Sequence, residues 1–203
     1  MNSTLHFYHK HAMRLAKQYD SLEFETVHRS WSTFWPKCGA NVLDVGAGSG
    51  RDARWFAAQE CSVVAVEPCK KFLQLAKKSS TQPICWVEDS LPHLQNVTTS
   101  SNHYDLILLS AVWMHLDHKQ RTVAIKRLHE LLASNGTLIV TLRDGEFKDG
   151  RETFGVSVNE LSLLCSSAGF EIYHVATDDD SLNREDIRWQ TVVIKKVGSL
   201  KEY

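Results

Sequence analysis

The sequence predicts one doubly wound α/β domain. Its sheet is seven-stranded and mainly parallel, with a helical extension before it and an antiparallel hairpin after it. Three observations predict this. The segment Val42-Leu43-Asp44-Val45 is a short apolar strand that runs into a glycine-rich turn and then a helix. From Asn41 onward, apolar strand-length runs alternate with amphipathic helical segments, the mark of a parallel sheet covered on both faces. Near the end, two strand-like runs are joined by a polar loop.

The elements read in order as follows. Residues 5–20 and 22–35 are two helices, ended by Pro36 and Gly39. Together residues 1–38 form an extension able to act as a lid, and residues 40–197 form the core. Val42–Val45 is the first strand. Arg51–Gln59 is a helix with Ala53, Phe56 and Ala57 at helical spacing. Ser62–Glu67 is the second strand. Lys70–Lys78 is a helix that turns Phe72, Leu73, Leu75 and Ala76 inward. Ile84–Glu88 and Tyr104–Ser110 are strands three and four, with a polar loop over 95–103 between them. Lys119–Leu132 is a helix with Val123, Ile125, Leu128, Leu131 and Leu132 on its apolar side, closed by Asn135-Gly136 as a left-handed stop. Thr137–Leu142 is strand five. Ser157 with Glu160 three residues on has capping-box spacing for a helix ended by Gly169. Phe170–Ala176 and Arg188–Lys196 make the hairpin, across a loop carrying Asp178-Asp179-Asp180. Right-handed crossovers leave a doubly wound topology as the main solution.

Bulk properties narrow the function. The 203 residues fit a single domain, 1–203. With 23 Lys+Arg against 24 Asp+Glu, the chain lacks the basic excess of a broad nucleic-acid or acidic-membrane binder. The five cysteines form no CxxC pair and their number is odd, so they read as free thiols in a reducing compartment. No signal-peptide h-region or membrane-length apolar run is visible, so a cytoplasmic protein is expected.

The chemistry concentrates in Asp44-Val45-Gly46-Ala47-Gly48-Ser49-Gly50-Arg51. Glycines there permit positive φ and let a ligand lie against bare backbone. The helix beyond offers unpaired N–H groups. A dinucleotide turn uses G-x-G-x-x-G/A, whereas here the spacing is G-x-G-x-G and Arg51 occupies the last small position. Asp44, two residues before the first glycine, suits an ammonium group better than a diphosphate.

This segment resembles the first motif of the class I S-adenosylmethionine-dependent methyltransferases, and the order and spacing of later motifs agree over residues 40–145. The resemblance implies a Rossmann-like fold and S-adenosylmethionine as cofactor. Glu67, 21 residues after Gly46, would accept both ribose hydroxyls. Asp89, followed by Ser90, would face the adenine amino group. Strand four with Ser110 and the residues after it is similar to the family's fourth motif, and Asn135-Gly136 to its final turn. The implied cofactor set is Tyr19, Asp44, Gly46, Ala47, Gly48, Gly50, Glu67, Pro68, Asp89, Ser90 and Ser110. In this family an N-terminal extension often forms a lid, which places Tyr19 against the methionine part.

Methyl transfer is an in-line displacement in which the enzyme mainly positions a nucleophile and excludes water. It needs a base only when the acceptor must lose a proton. Hence the acceptor is hard to read. Ser110-Ala111-Val112-Trp113 stands where an exocyclic-amine DNA methyltransferase carries Asn/Asp-Pro-Pro-aromatic, and no Pro-Cys nucleophile occurs, so no DNA acceptor is expected. His115 lies just after strand four, where open α/β sheets bind ligands, and is the catalytic candidate. Trp113 is a candidate stacking surface for adenine or the acceptor. No metal is expected: His115 and His118 lack a third ligand, and His6, His9 and His11 are not assigned as one. Arg143 at the end of strand five and Arg151 beyond it are candidate acceptor contacts. If they face the pocket, they suggest an anionic acceptor. The alternative for Arg151 is a surface salt bridge with Asp144, Asp149 or Glu152. The tail pattern, Leu-Arg-x-Gly, then Arg and Phe, then Arg-Trp, resembles that of small uncharacterised bacterial methyltransferases.

The expected function is methyl transfer to an O or N nucleophile of a small molecule, with no membrane partner and no assigned oligomeric state. Three alternatives stay open. The first is an RNA or protein methyltransferase. The second is a nicotinamide oxidoreductase, although no Tyr-x-x-x-Lys pair occurs. The third is a non-catalytic cofactor-binding protein of the same fold.

Overall fold

The computed structural model describes residues 3–98 and 103–198; of the expected 95–103 loop, residues 99–102 lie outside the described residues. Helix α1 (Ser3–Asp20) leads into α2 (Phe24–Val27) and a 3-10 turn over Arg29–Phe34. The core follows as β1 (Asn41–Val45), α3 (Arg51–Ala58), β2 (Ser62–Val66), α4 (Lys70–Ser79), β3 (Cys85–Val87), β4 (Tyr104–Leu109), α5 (His118–Leu131), β5 (Leu132–Asp144), α6 (Val158–Ser167), β6 (Phe170–Asp178) and β7 (Arg188–Lys196). One sheet holds all seven strands, in the order β3-β2-β1-β4-β5-β7-β6. β1 pairs in parallel with both β2 and β4, and β7 pairs antiparallel with both β5 and β6. The winding therefore reverses between β1 and β4, which opens a crevice at their carboxyl ends.

Alternate residues of the strands feed opposite cores. Leu43, Val45, Ile107, Leu109, Leu138 and Val140 pack on the face covered by α5 and α6. Val42, Leu106, Leu108 and Ile139 pack on the other, with Phe24, Trp31 and Phe56. A third cluster joins α1 to α4 through Ala12, Leu15, Ala16 and Phe72. Val123, expected inward, is instead exposed, and Ala124 is buried. The five cysteines are free thiols, with Cys61, Cys69 and Cys165 buried. No helix of the described residues is long and apolar enough to cross a membrane.

Two elements differ from expectation. The second helix breaks at His28, which has φ −113° and ψ 16°. Tertiary contacts outweigh local preference there. Phe24 stacks on Trp55 with ring centroids 3.8 Å apart. His28 lies buried between the Trp31 indole and the Asp52 carboxylate, at 3.1 Å from each. The expected left-handed stop at Asn135-Gly136 is also absent. α5 ends at Leu131, Leu132 is already extended, and β5 continues through Asn135 and Gly136, with a register shift in its pairing with β4 between Leu132 and Thr137. Gly136 is there for close approach: a Cβ would lie 2.8 Å from Leu132 and 2.9 Å from the Tyr104 carbonyl.

The helix caps behave more simply. Asp117 and Gln120 close a capping box on α5. Ser157 caps α6, but the Glu160 carboxylate turns instead to Arg121 and His118.

Candidate functional site

A cavity of about 490 Å³ occupies the crevice at the carboxyl ends of β1, β2 and β4. α1 lines it through Thr4, Leu5, Tyr8 and Tyr19, and the segment 145–155 through Phe147 and Arg151. The glycine turn forms its floor. Gly46, Gly48 and Gly50 have φ of 76°, 55° and 81°. A Cβ on Gly46 would lie 2.5 Å from Val112, so only glycine lets the turn after β4 pass so close. The Gly46 and Ala47 N–H groups donate to the Val66 carbonyl at 2.8 and 2.9 Å, continuing the β1–β2 pairing into the turn.

Glu67 follows β2 and closes this floor. Its Oε2 accepts from the Gly48 N–H at 2.8 Å and its Oε1 from the Cys69 N–H at 2.7 Å. Only 5% of it is exposed. Burial pushes its carboxyl up to about 7, against the pull of those two N–H groups. Each carboxylate oxygen keeps a further lone pair for hydroxyl donors.

Asp44 lies fully under the turn and does not line the cavity. Its Oδ2 is buried with no hydrogen-bond partner. Burial first, and then the Asp52 charge, raises its carboxyl well above the usual carboxylate range. Gly50 does not line the cavity either. A Cβ there would lie 2.6 Å from the Trp86 ring and 3.0 Å from Ala76, so it serves helix–sheet packing.

Pro68, Asp89, Ser90 and Ser110 do line the cavity. The two Asp89 oxygens accept from the Ser90 and Asn96 N–H groups at 2.7 and 2.6 Å, which fixes the loop after β3. Tyr19 lies over Gly48 and stacks on Phe72 with an interplanar angle of 18°. A Cβ on Gly48 would stand 3.8 Å from the Tyr19 ring, so the open space above the floor is bounded by that ring.

The other half of the cavity is built around His115, in the 3-10 turn Trp113–His115. Ala111, just after β4, holds a left-handed φ of 58° while its N–H donates to Thr141 Oγ1 at 2.8 Å. A non-glycine residue rarely adopts this backbone, and its position at the cavity edge fits a functional turn. His115 Nδ1 lies 3.2 Å from the Glu152 carbonyl, which can only accept, so Nδ1 carries the proton. Nε2 is then the acceptor for the Tyr8 hydroxyl at 2.9 Å. Burial, chiefly, lowers the His115 pKa and favours the neutral ring. Burial likewise raises the Tyr8 phenol and keeps it protonated.

Arg151 and Arg143 both line the cavity. Arg151 forms a two-pronged pair with Asp149, at 3.0 and 2.6 Å, and donates to the Tyr8 hydroxyl at 3.2 Å. Both guanidiniums approach the Phe147 ring, that of Arg143 at 3.9 Å and that of Arg151 at 3.6 Å.

Trp113 is a correction. It is 0% exposed, in the core under α5, and does not line the cavity. The 3-10 turn directs the ring away from the crevice, so it offers no stacking surface.

Several functional-site residues escaped the sequence reading. Arg121 is buried and donates to the Gly155 and Phe154 carbonyls at 2.8 and 3.1 Å and to Glu160 at 2.6 Å. It thereby ties down the segment 145–155, which α1 also holds through Thr4 and Glu152. The chain Trp31–His28–Asp52–Arg51 pins the N-terminal extension to the first turn of α3. In it Arg51 grips Asp52 at 2.6 and 3.0 Å. The His28–Asp52, Arg121–Glu160 and Thr4–Glu152 links join residues far apart in sequence, and no local motif announces them.

The cavity suits a group that is cationic at one end and rich in hydroxyls in its middle. The orphaned carboxylate oxygen of Asp44 lies below the turn. The Glu67 oxygens have spare lone pairs at its centre, and Asp89 stands beyond. Among the described residues no cluster offers the cavity a diphosphate-binding set of cations on this side: the one arginine there, Arg51, is neutralised by Asp52.

Comparisons with known proteins agree with this geometry. Residues 42–136 match a family described as a methyltransferase domain. The chain is 25% identical over 139 residues to a malonyl-[acyl-carrier protein] O-methyltransferase of Halalkalibacterium halodurans, covering 64% of this chain and 49% of that protein. The match thus spans about half the length of that relative. Among solved structures, a TehB-like S-adenosylmethionine-dependent methyltransferase from Corynebacterium glutamicum superposes with a TM-score of 0.67 at 20% identity, covering 92% of this chain and 98% of that one. A 1,6-didemethyltoxoflavin-N1-methyltransferase from Burkholderia thailandensis, solved with its substrate and S-adenosylhomocysteine, gives 0.63 at 20% identity, covering 91% and 78%. At such identities the structural matches speak for the fold.

Proposed function

We propose that the chain is a class I S-adenosylmethionine-dependent methyltransferase and that it transfers a methyl group to an O or N nucleophile of a small, anionic molecule. The observation that carries the reading is the clamp of the Gly48 N–H onto Glu67, above the unpartnered oxygen of Asp44. Gly46, Ala47, Gly48, Tyr19, Glu67, Pro68, Asp89, Ser90 and Ser110 would hold the cofactor, with Asp44 acting from beneath. When bound, the cofactor supplies a methyl group already activated on a sulfonium.

The chain's own residues then bind, orient and exclude water. α1 and the 145–155 segment line the cavity, and a dry site strengthens every charge interaction within it. His115 is held as the neutral tautomer whose Nε2 accepts from the Tyr8 hydroxyl, and a hydroxyl or amine acceptor that takes the place of that hydroxyl would meet a nitrogen able to take its proton. Tyr8 occupies that nitrogen through its hydroxyl and lies where an acceptor must approach. Arg143 and Arg151 favour an acceptor bearing negative charge. The relative named as an O-methyltransferase and the neighbour named as an N-methyltransferase support both choices of nucleophile.

The test is transfer of labelled methyl from S-adenosylmethionine to a panel of small anionic metabolites. Labelled product confirms catalysis. Cofactor binding with no transfer to any small molecule, but with labelling of RNA or protein from a lysate, would replace the acceptor class. Binding with no transfer at all would favour a non-catalytic role.

A further inference from the structure

Four arginines line the cavity: Arg51, Arg143, Arg151 and Arg184. Three of them are neutralised by a neighbouring carboxylate. Arg51 pairs with Asp52 at 2.6 Å, Arg151 with Asp149 at 2.6 Å and Arg184 with Asp180 at 2.5 Å. Arg143 has no carboxylate partner among the described residues. Two of its nitrogens donate to neutral groups, the Gly145 and Glu146 carbonyls, and its Nε is buried with no partner. Yet Arg143 is only 6% exposed. An uncompensated charge held this far from water is costly. Burial, with Arg184 and Arg151 nearby, lowers its pKa.

Its position is nevertheless well built. Arg143 stands near the carboxyl end of β5, opposite Trp189 of β7. Its guanidinium carbon lies 3.9 Å from the centre of the Phe147 ring, and that of Arg151 lies 3.6 Å from the same ring. The other acids facing this part of the cavity are otherwise engaged or solvated. Asp178 accepts from the Ser30 and Thr191 hydroxyls at 2.9 and 2.5 Å, and Asp179 is exposed.

We infer that Arg143 is the seat of a carboxylate on the methyl acceptor, so that the substrate is a carboxylic acid with an apolar body. The inference rests on the methyl-transfer reading and names its substrate class. A single unpaired guanidinium matches one negative charge. A phosphate monoester, with about −1.5 to −2, would bring more charge than Arg143 can balance. A guanidinium also presents parallel N–H donors that fit a carboxylate. Phe147 gives an apolar surface beside it, and Leu116 and Val112 also line the cavity. Phe147 is then a positioning residue, holding Arg143 by its ring face.

The experiment uses simple probes. The purified full chain, saturated with S-adenosylhomocysteine, is titrated calorimetrically with benzoate and hexanoate, and with benzamide and hexanamide as uncharged near-isosteres. The expected result is that at least one acid binds about tenfold or more tighter than its amide, the worth of a charge-assisted pair. Arg143→Gln should erase that preference while S-adenosylhomocysteine binds as before. Equal binding of acid and amide, no binding of either acid, or a preference that survives Arg143→Gln would overturn the inference. If Arg143→Gln does not fold, the acid-to-amide ratio of the wild-type chain decides alone. Failure of S-adenosylhomocysteine to bind would instead count against the methyl-transfer reading, and the same acid–amide comparison on the free protein would still test Arg143.

Discussion

The backbone N–H of Gly48 donates to Glu67 Oε2 at 2.8 Å, so the floor of the cavity and the end of the neighbouring strand are one hydrogen-bonded unit. That unit places a buried carboxylate at the centre of the cofactor half. Glu67→Ala and Asp44→Ala should each weaken S-adenosylmethionine binding at least about tenfold, Glu67→Ala through loss of charge-assisted hydrogen bonds and Asp44→Ala through loss of the buried support beneath the glycine turn. Calorimetric affinity within twofold of wild type for both variants would contradict the assignment.

Cofactor affinity should depend on pH through the same residue. Burial raises the Glu67 carboxyl to about 7, and the ionised form is the better acceptor for two hydroxyls. If only that form binds, affinity falls about tenfold from pH 8 to pH 6, following the ionised fraction. Glu67→Gln should flatten the profile. In the free protein the sign reverses: burial favours the protonated carboxyl, so its contribution to stability is lost as pH rises through about 7.

His115→Ala should lower turnover on an identified acceptor by about 100-fold while leaving cofactor affinity nearly unchanged. The pH profile should show an acid limb below the ordinary histidine range, because the His115 pKa is lowered, first by burial. Normal turnover in the variant would reduce His115 to a packing role.

Arg121→Ala should release the segment 145–155. It removes the buried cation that binds the Phe154 and Gly155 carbonyls and Glu160, at a cost of about 3 kcal/mol in stability. Thermal unfolding measures the cost, and faster proteolytic cleavage within residues 145–155 locates it. Equal cleavage in wild type and variant would show that the segment is held by other contacts.

What the sequence made legible was local. The glycine turn, the acid ending β2, and the alternation of strand and helix are each written in a few adjacent residues, and the doubly wound topology followed from handedness. What it hid was long-range. Tyr8 meets His115 across 107 positions, and Thr4 meets Glu152 across 148, with no motif linking them. Trp113 looked like a cavity wall because it follows β4, but a 3-10 turn buries its ring. Asn135-Gly136 looked like a helix stop, yet Gly136 is needed for close packing on Leu132 inside β5. His28 sat in a plausible helix that its own bonds to Trp31 and Asp52 interrupt.

The most direct measurement is calorimetric titration of the purified protein with S-adenosylmethionine, S-adenosylhomocysteine and NADH. The account predicts micromolar binding of the first two and none of the third. Binding of NADH alone would contradict it, and the Gly46–Gly50 turn would then be a dinucleotide site.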